Sequence, residues 1–275
     1  MSSMVKVSVI MTFFNESADL LKRSVFSILN QTFQEFEFIV IGGNPDNISG
    51  IDFMKNVALE NDKIFFQVAE EKLLMTVCLN RAIKLAGGKY IALQEADDES
   101  LPERLARQLD TIEKNENIDV VGTAIAYIND ADKKLLVKRF YPENPRRTFN
   151  KYTAIAHPTF LLKKELFDRC GYYNESEEVR HSPDHDLWCR WVIQGVRFYN
   201  IPEILFNYYQ SSSNGRNKNA KKTLQSVIKL KKKYARQMNF TFQDYCYLAL
   251  EKILVLTPQP FLSSLFYFWV RIKKA

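Results

Sequence analysis

The feature that most constrains this chain is the alternation of two periodicities through its first half. Residues 5–11 form a largely apolar, β-branched run suited to a strand buried on both faces. Behind Ser17, a residue type that caps helices, Leu20, Leu21, Val25, Ile28 and Leu29 recur at helical spacing. The pattern then repeats. Strands are expected at residues 36–41, 64–68, 90–93 and 120–127, and helices at 51–60, 73–86 and 103–114. Gly42-Gly43-Asn44-Pro45 ends the second strand, Gly87-Gly88 stops a helix, and Pro102 opens one. Strands separated by helices in this way imply βαβ units and a mostly parallel sheet with right-handed crossovers. Ligands in such sheets bind at the edge formed by the strand C-termini. Residues 12–16, 42–46 and 95–99 all follow strands and are expected to meet there.

The third of these segments carries unusual charge. In IALQEADDESLP an apolar run ends in Glu95, Asp97, Asp98 and Glu99. Two readings stand side by side. The acids form a solvated turn that caps the helix at Pro102, with Asp98 or Ser100 as the cap, or they supply hard oxygen ligands to a divalent cation. Asp184, in PDHDLW, is either a first-turn helix acid or a catalytic carboxylate. His181 and His185 flank it, but none of Cys78, Cys170, Cys189 and Cys246 adds zinc spacing, so surface histidines are the better reading. Trp188 and Trp191 continue an apolar helix face with Leu187 and Val192. His157, before Pro158, either lines a cleft or packs.

The second half is less regular. A short strand is expected at 157–162, helices at 163–169 and 184–194, and strands at 196–200 and 205–209. Ser211-Ser212-Ser213-Asn214-Gly215 reads as a linker, followed by helices at 219–238, 242–256 and 260–273. Of 38 basic and 32 acidic residues, 13 and 2 fall in residues 216–275, leaving 25 and 30 in residues 1–215. The excess of positive charge therefore belongs to the tail, which argues against nucleic-acid binding by the body. An anionic membrane surface is the expected partner of such a tail. Residues 253–270 are uncharged, yet Pro258 and Pro260 break the run, so an interfacial helix anchored by aromatics at 266–269 fits better than a spanning one. A helical cap with a solvated basic face is the alternative. The N-terminus lacks the layout of a signal peptide, and the scattered cysteines suit a reducing compartment.

VSVIMTFFNE, SVFSILNQTFQEFEFIVIGG, LNRAIKLAGGKYIALQEADD, HPTFLLKKELFDRCGYYNE and PDHDLWCRW, in this order and spacing, resemble the family 2 glycosyltransferases over residues 5–209. The resemblance implies an α/β chain of the GT-A fold, a mostly parallel central sheet flanked by helices, over residues 1–215, with a C-terminal α-helical tail at 216–275. It implies an inverting transferase that moves a sugar from a nucleotide-diphosphate sugar, by default a UDP-sugar, to a glycan or lipid-linked glycan, as in polysaccharide biosynthesis. It further implies Mg2+ or Mn2+ held by Glu95, Asp97 and Asp98, and Asp184 as the general base. Donor contacts are expected from Thr12, Phe13, Phe14, Asn15, Glu16, Asp46 and Asp97, and acceptor contacts from His157, His185, Asp186 and Trp188. The expected location is cytoplasmic and peripheral at the inner face of the membrane. The chain departs from the family pattern at four points. Glu95 stands for an Asp, Gly42-Gly43 for two Asp, Thr12 for a Pro, and Pro183 for the Glu before the base. A catalytically silent homologue that binds glycan or nucleotide, or scaffolds, is the alternative reading. No GxGxxG follows the first strand, which argues against a dinucleotide-dependent dehydrogenase.

Overall fold

Four parallel strands form the first half of the sheet: β1 (Val7–Phe13), β2 (Phe36–Gly42), β3 (Ile64–Val68) and β4 (Tyr90–Glu95), in the order β3-β2-β1-β4. The computed structural model describes residues 5–152, 154–210 and 215–258, with side chains from residue 220 onward in the last segment. Helices α1 (Ala18–Leu29), α2 (Ile48–Glu60) and α3 (Met75–Leu85) make the crossovers. β1 alternates as its sequence requires. Val7, Val9, Met11 and Phe13 enter the apolar layer under α1 and α2, whereas Ile10 enters the layer under α3. α2 begins three residues earlier than expected because the Asn47 side chain accepts a hydrogen bond from the Gly50 amide (3.2 Å). Ser17 takes the cap position of α1 without a side-chain cap hydrogen bond.

Past β4 the sheet becomes mixed. It continues through β8 (Leu161–Lys163), β6 (Val120–Asn129), β9 (Phe198–Gln210) and the two-residue β5 (Glu99–Ser100), with β7 (Leu135–Arg139) paired to β6. α4 (Arg104–Lys114) lies in the first apolar layer, and α5 (Glu165–Cys170) and α6 (Pro183–Ile193) lie in the second. Three expectations are corrected. The segments at 196–200 and 205–209 belong to one strand, β9, which bulges where Pro202 removes a ladder donor. Its partner register jumps there from Thr123↔Ile201 to Ala124↔Ile204. The segment 157–162 splits into a 3₁₀ turn, His157–Thr159, entered through Pro158, and the antiparallel β8. β5 and β7 were not foreseen.

Two helices follow: α7 (Gly215–Tyr234) and α8 (Phe242–Leu254). Leu230 and Tyr234 of α7, and Met238 after it, join the apolar layer of α3 and α6. The Tyr234 hydroxyl donates to Asp186 Oδ1 (2.7 Å), and the fully buried Lys231 ammonium donates to the Lys151 carbonyl (2.7 Å) and to Glu251 Oε1 (2.6 Å). The packing is thus continuous from α6 into α7. Among the described residues no helix is long and apolar enough to cross a membrane. The linker residues 211–214, the expected helix at 260–273 and the aromatics at 266–269 lie outside the described residues.

Candidate active site

Strand register brings the three loops together. Thr12 sits beside Glu95 on one side and Ile41 on the other, and Phe13 sits beside Gly42. At this rim opens a cavity of about 710 Å³. Thr12, Phe13, Phe14, Glu16, Gly43 and Glu95 line it from the strand ends, Lys72 and Cys78 from the region of α3, and Arg180 and Pro183 from the entry to α6.

The first loop is folded around its own glutamate. Glu16 Oε2 accepts from the amides of Phe14 (2.6 Å) and Asn15 (3.1 Å), which leaves the Phe14 ring half-exposed at the cavity mouth. Asn15 Oδ1 accepts from Asn44 Nδ2 (2.8 Å), and Asn44 Oδ1 accepts from the Asp46 amide (3.1 Å), so the first two loops are tied together. Asp46 pairs with Lys72 at 2.8 Å on the exposed lip. Gly42 and Gly43 stand where a side chain meets close neighbours. A Cβ on Gly42 would lie 2.9 Å from the Phe13 ring, and one on Gly43 would lie 3.0 Å from Cys78 Sγ.

The four carboxylates of the acidic turn relieve their mutual repulsion by diverging. Glu95 faces the cavity, with Oε1 3.6 Å from His157 Nδ1. Asp97 is half-buried, and its carbonyl accepts from the Arg23 guanidinium of α1. Asp98 is buried, and its Oδ1 accepts from the Tyr209 amide (2.8 Å). Glu99 Oε2 accepts from Asn207 Nδ2 (2.8 Å) and the Tyr209 hydroxyl (3.0 Å). Burial and Glu99 together push the Tyr209 hydroxyl up to about 12. Arg23 also stacks over the Tyr209 ring at 3.6 Å and pairs with Asp130, clamping the turn against β9.

Asp184 enters on the first turn of α6, half-buried, behind Pro183 at the helix start. The charges of both Asp184 and Glu95 act on the buried Tyr173. Burial raises the Tyr173 hydroxyl far above its ordinary range, and the charges of Asp184 and Glu95 push the same way. The Tyr173 hydroxyl shares a 2.8 Å hydrogen bond with His157 Nε2, so Glu95, His157 and Tyr173 form a chain. The loop carrying Tyr173 is pinned to α3 by Asn80, whose Nδ2 donates to the Tyr173 carbonyl (2.9 Å) and to Glu175 (2.7 Å).

The acceptor-side residues separate. His157 is buried but belongs to this chain, whereas His185, Asp186 and Trp188 turn into the interior. Asp186 accepts from Arg190 Nε (2.9 Å) and from Tyr234. Trp188 packs among Phe160, Trp191 and Phe198. These three are corrected from cleft wall to core: Tyr234 and Lys231 of α7 face Asp186 and His185, and Trp188 packs on Phe160 and Phe198. Lys72, Tyr173, Arg180 and Arg23 were not singled out from the sequence. Lys72 follows a strand in the same way as the other rim residues and was in principle findable. Tyr173 and Arg180 lie in irregular loops with no periodic signal.

Residues 8–171, more than half of the chain, match the family model described as Glycosyl transferase family 2. An uncharacterized glycosyltransferase of Methanocaldococcus jannaschii is 30% identical over 264 residues, covering 92% of this chain and 89% of its own length. The O-antigen biosynthesis glycosyltransferase WbnJ of Escherichia coli is 31% identical over 195 residues, covering 67% of this chain and 72% of its own. Two solved structures share the fold. The S. aureus TarS 1–349 complex with UDP-GlcNAc has a TM-score of 0.63 at 16% identity, covering 82% of this chain and 66% of that one. The mannosyltransferase PcManGT of Pyrobaculum calidifontis, in complex with GDP-Man and Mn2+, has a TM-score of 0.63 at 15% identity, covering 94% and 72%. With its family match and the Methanocaldococcus jannaschii relative covered nearly end to end, the chain belongs to glycosyltransferase family 2 and is a glycosyltransferase.

Proposed function

We propose that the cavity binds a nucleotide-diphosphate sugar, a UDP-sugar first, and that the enzyme transfers the sugar with inversion to a glycan hydroxyl. The observation that carries this reading is the convergence, in one cavity at the strand C-termini, of an aromatic ring (Phe14), three carboxylates, Glu95 among them, and two cations, Lys72 and Arg180, held by surface pairs with Asp46 and Glu177. A nucleotide sugar has matching parts: a base to stack on, and a diphosphate needing cations and a metal. The UDP-GlcNAc and GDP-Man of the two fold neighbours have the same parts. Because Phe13 and Cys78 fill the room beside Gly42-Gly43, the nucleoside is assigned instead to Thr12, Phe14 and the linked Asn15–Asn44–Asp46 edge.

Among the described residues no cluster of three or more His, Cys, Asp or Glu side chains surrounds a point that could hold a metal. Mg2+ or Mn2+ sharing its shell with substrate phosphates and water needs only one or two protein carboxylates. Glu95, facing the cavity, and Asp97, next along the turn, fit that role, with Asp98 anchoring the turn from behind through Tyr209. The ion supplies charge neutralisation to the departing diphosphate. Lys72 and Arg180 add fixed positive charge on the cavity wall.

Asp184 is assigned as the base. It takes the proton of the acceptor hydroxyl as that oxygen bonds to the anomeric carbon and the bond to the diphosphate breaks on the opposite face. Tyr173, hydrogen-bonded to His157 and within the field of both carboxylates, adds no negative charge there, since its hydroxyl stays protonated. The acceptor is assigned to the surface-glycan class, as the name of WbnJ suggests, on a lipid carrier at an anionic membrane surface on the cytoplasmic side.

Donor turnover by the purified protein, across UDP- and GDP-sugars with Mn2+, tests this. Asp184→Asn is expected to lower kcat ~10²–10⁴-fold with donor affinity unchanged. Absence of both turnover and nucleotide binding in the unaltered protein would leave a silent homologue as the better reading.

A further inference from the structure

α8 docks on the domain through one face and presents an apolar stripe on the other. Toward the domain it turns Asp244, Leu248 and Glu251, with Asp244 accepting from Asn150 Nδ2 (3.1 Å) and Glu251 from Lys231. On the other side Phe242, Tyr245, Cys246, Leu250, Ile253 and, past the helix end, Leu256 recur at helical spacing, and all are exposed. Phe242 is 83% exposed, Leu250 57%, Ile253 63% and Leu256 78%. An apolar helix face is ordinarily buried, and an exposed apolar patch marks an interaction site.

Charge selects the occupant. Residues 216–238 hold nine basic residues and no acid, and Lys221, Lys222, Lys229, Lys232, Lys233 and Arg236 are exposed on and just after α7. Lys252 borders the apolar stripe. A second copy seated on this face would bring together two segments that each carry 13 basic and 2 acidic residues. An anionic bilayer, by contrast, offers an apolar layer beneath negative headgroups. The composition continues the same way beyond α8, with residues 259–270 uncharged and Arg271, Lys273 and Lys274 following.

We infer that α8 is a docking helix whose exposed face lies in the interfacial layer of an anionic lipid bilayer, with Lys252 and the basic residues of α7 at the headgroups. This gives the peripheral placement proposed above a defined surface and rests on that placement. The stripe lies on the side of α8 away from the domain, and none of its residues lines the cavity at the strand ends.

Flotation of the full chain with phosphatidylcholine vesicles, with and without phosphatidylglycerol, tests the inference. The unaltered protein is expected to float with the anionic vesicles and to be released by salt. The exposed pair Leu250→Glu and Ile253→Glu is expected to lower partitioning roughly tenfold or more per substitution, with the melting temperature and donor turnover retained. Equal flotation of the two proteins would overturn the inference, as would failure of the unaltered protein to float at low salt. Light scattering that showed a dimer converted to a monomer by the pair would assign the face to a second copy instead. Donor turnover is read separately, so failure of the transferase reading cannot be mistaken for failure of docking.

Discussion

Acid should destabilise this fold through one histidine, and the size of the effect follows from the site. His185 sits on the inner side of α6, buried, with Lys231 of α7 facing it and Asp184 and Asp186 beside it on its own helix. Burial lowers its pKa to about 4, Lys231 pushes in the same direction, and the two aspartates oppose. Its Nε2 is buried with no hydrogen-bond partner among the described residues, so an added proton there meets no acceptor. In the unfolded chain the imidazole titrates near 6.5. The folded value is the lower one, so the unfolded state binds the proton first. The stabilising contribution is therefore complete above pH 6.5 and is lost as the pH falls toward about 4. At 1.36 kcal/mol per pH unit, that window is worth about 3 kcal/mol, a large share of the ~5–15 kcal/mol that holds a typical domain together. His185→Gln removes the titration. Urea unfolding from pH 8 to 4.5 should show the unaltered protein losing about 2–3 kcal/mol more than the variant, whatever constant offset the lost packing gives the variant. Parallel stability curves for the two proteins would refute the reasoning, because they would mean that the folded state accommodates the imidazolium.

Lys231→Met should destabilise by about 3–5 kcal/mol, because it strands Glu251 in the interior, whereas Lys231→Met with Glu251→Leu should recover most of that loss in chemical denaturation. Gly122→Ala should destabilise by about 1–3 kcal/mol in the same assay, since a Cβ there would lie 2.5 Å from both Asn200 Oδ1 and Ile155 Cγ1. Asp97→Asn should abolish the part of UDP binding that a chelator removes while leaving the melting temperature of the free protein unchanged. Calorimetry with and without Mn2+ reads this directly, and binding indifferent to both chelator and substitution would count against a metal at the acidic turn.

The parts of this structure that were legible in the sequence are those written in local signals. β1 to β4 and α1 to α3 follow from periodicity and end residues, and once four strands are parallel their register must bring Thr12, Gly42 and Glu95 to one rim. What escaped depends on partners distant in the chain. Pro202 looks like the end of a strand until β6 is present to carry the bulge. Asp98 and Glu99 look like members of one cluster with Glu95 until β9 arrives, more than 100 residues later, to claim them. His185 and Asp186 look like a cleft wall because nothing in PDHDLW announces that α7 will lie across them, whereas the apolar helix face of Trp188 already marked it for the core. The same dependence changes the meaning of Gly42-Gly43. Taken alone, the missing acidic pair reads as lost function. In the structure Phe13 and Cys78 occupy the space those side chains would need, and Asn15, Asn44 and Asp46 join the two neighbouring loops by hydrogen bonds. The same cavity carries Phe14, three carboxylates (Glu16, Glu95 and Glu177) and two cations (Lys72 and Arg180). On the proposed function, these hydrogen-bonded loops take over the nucleoside contacts that the acidic pair would make.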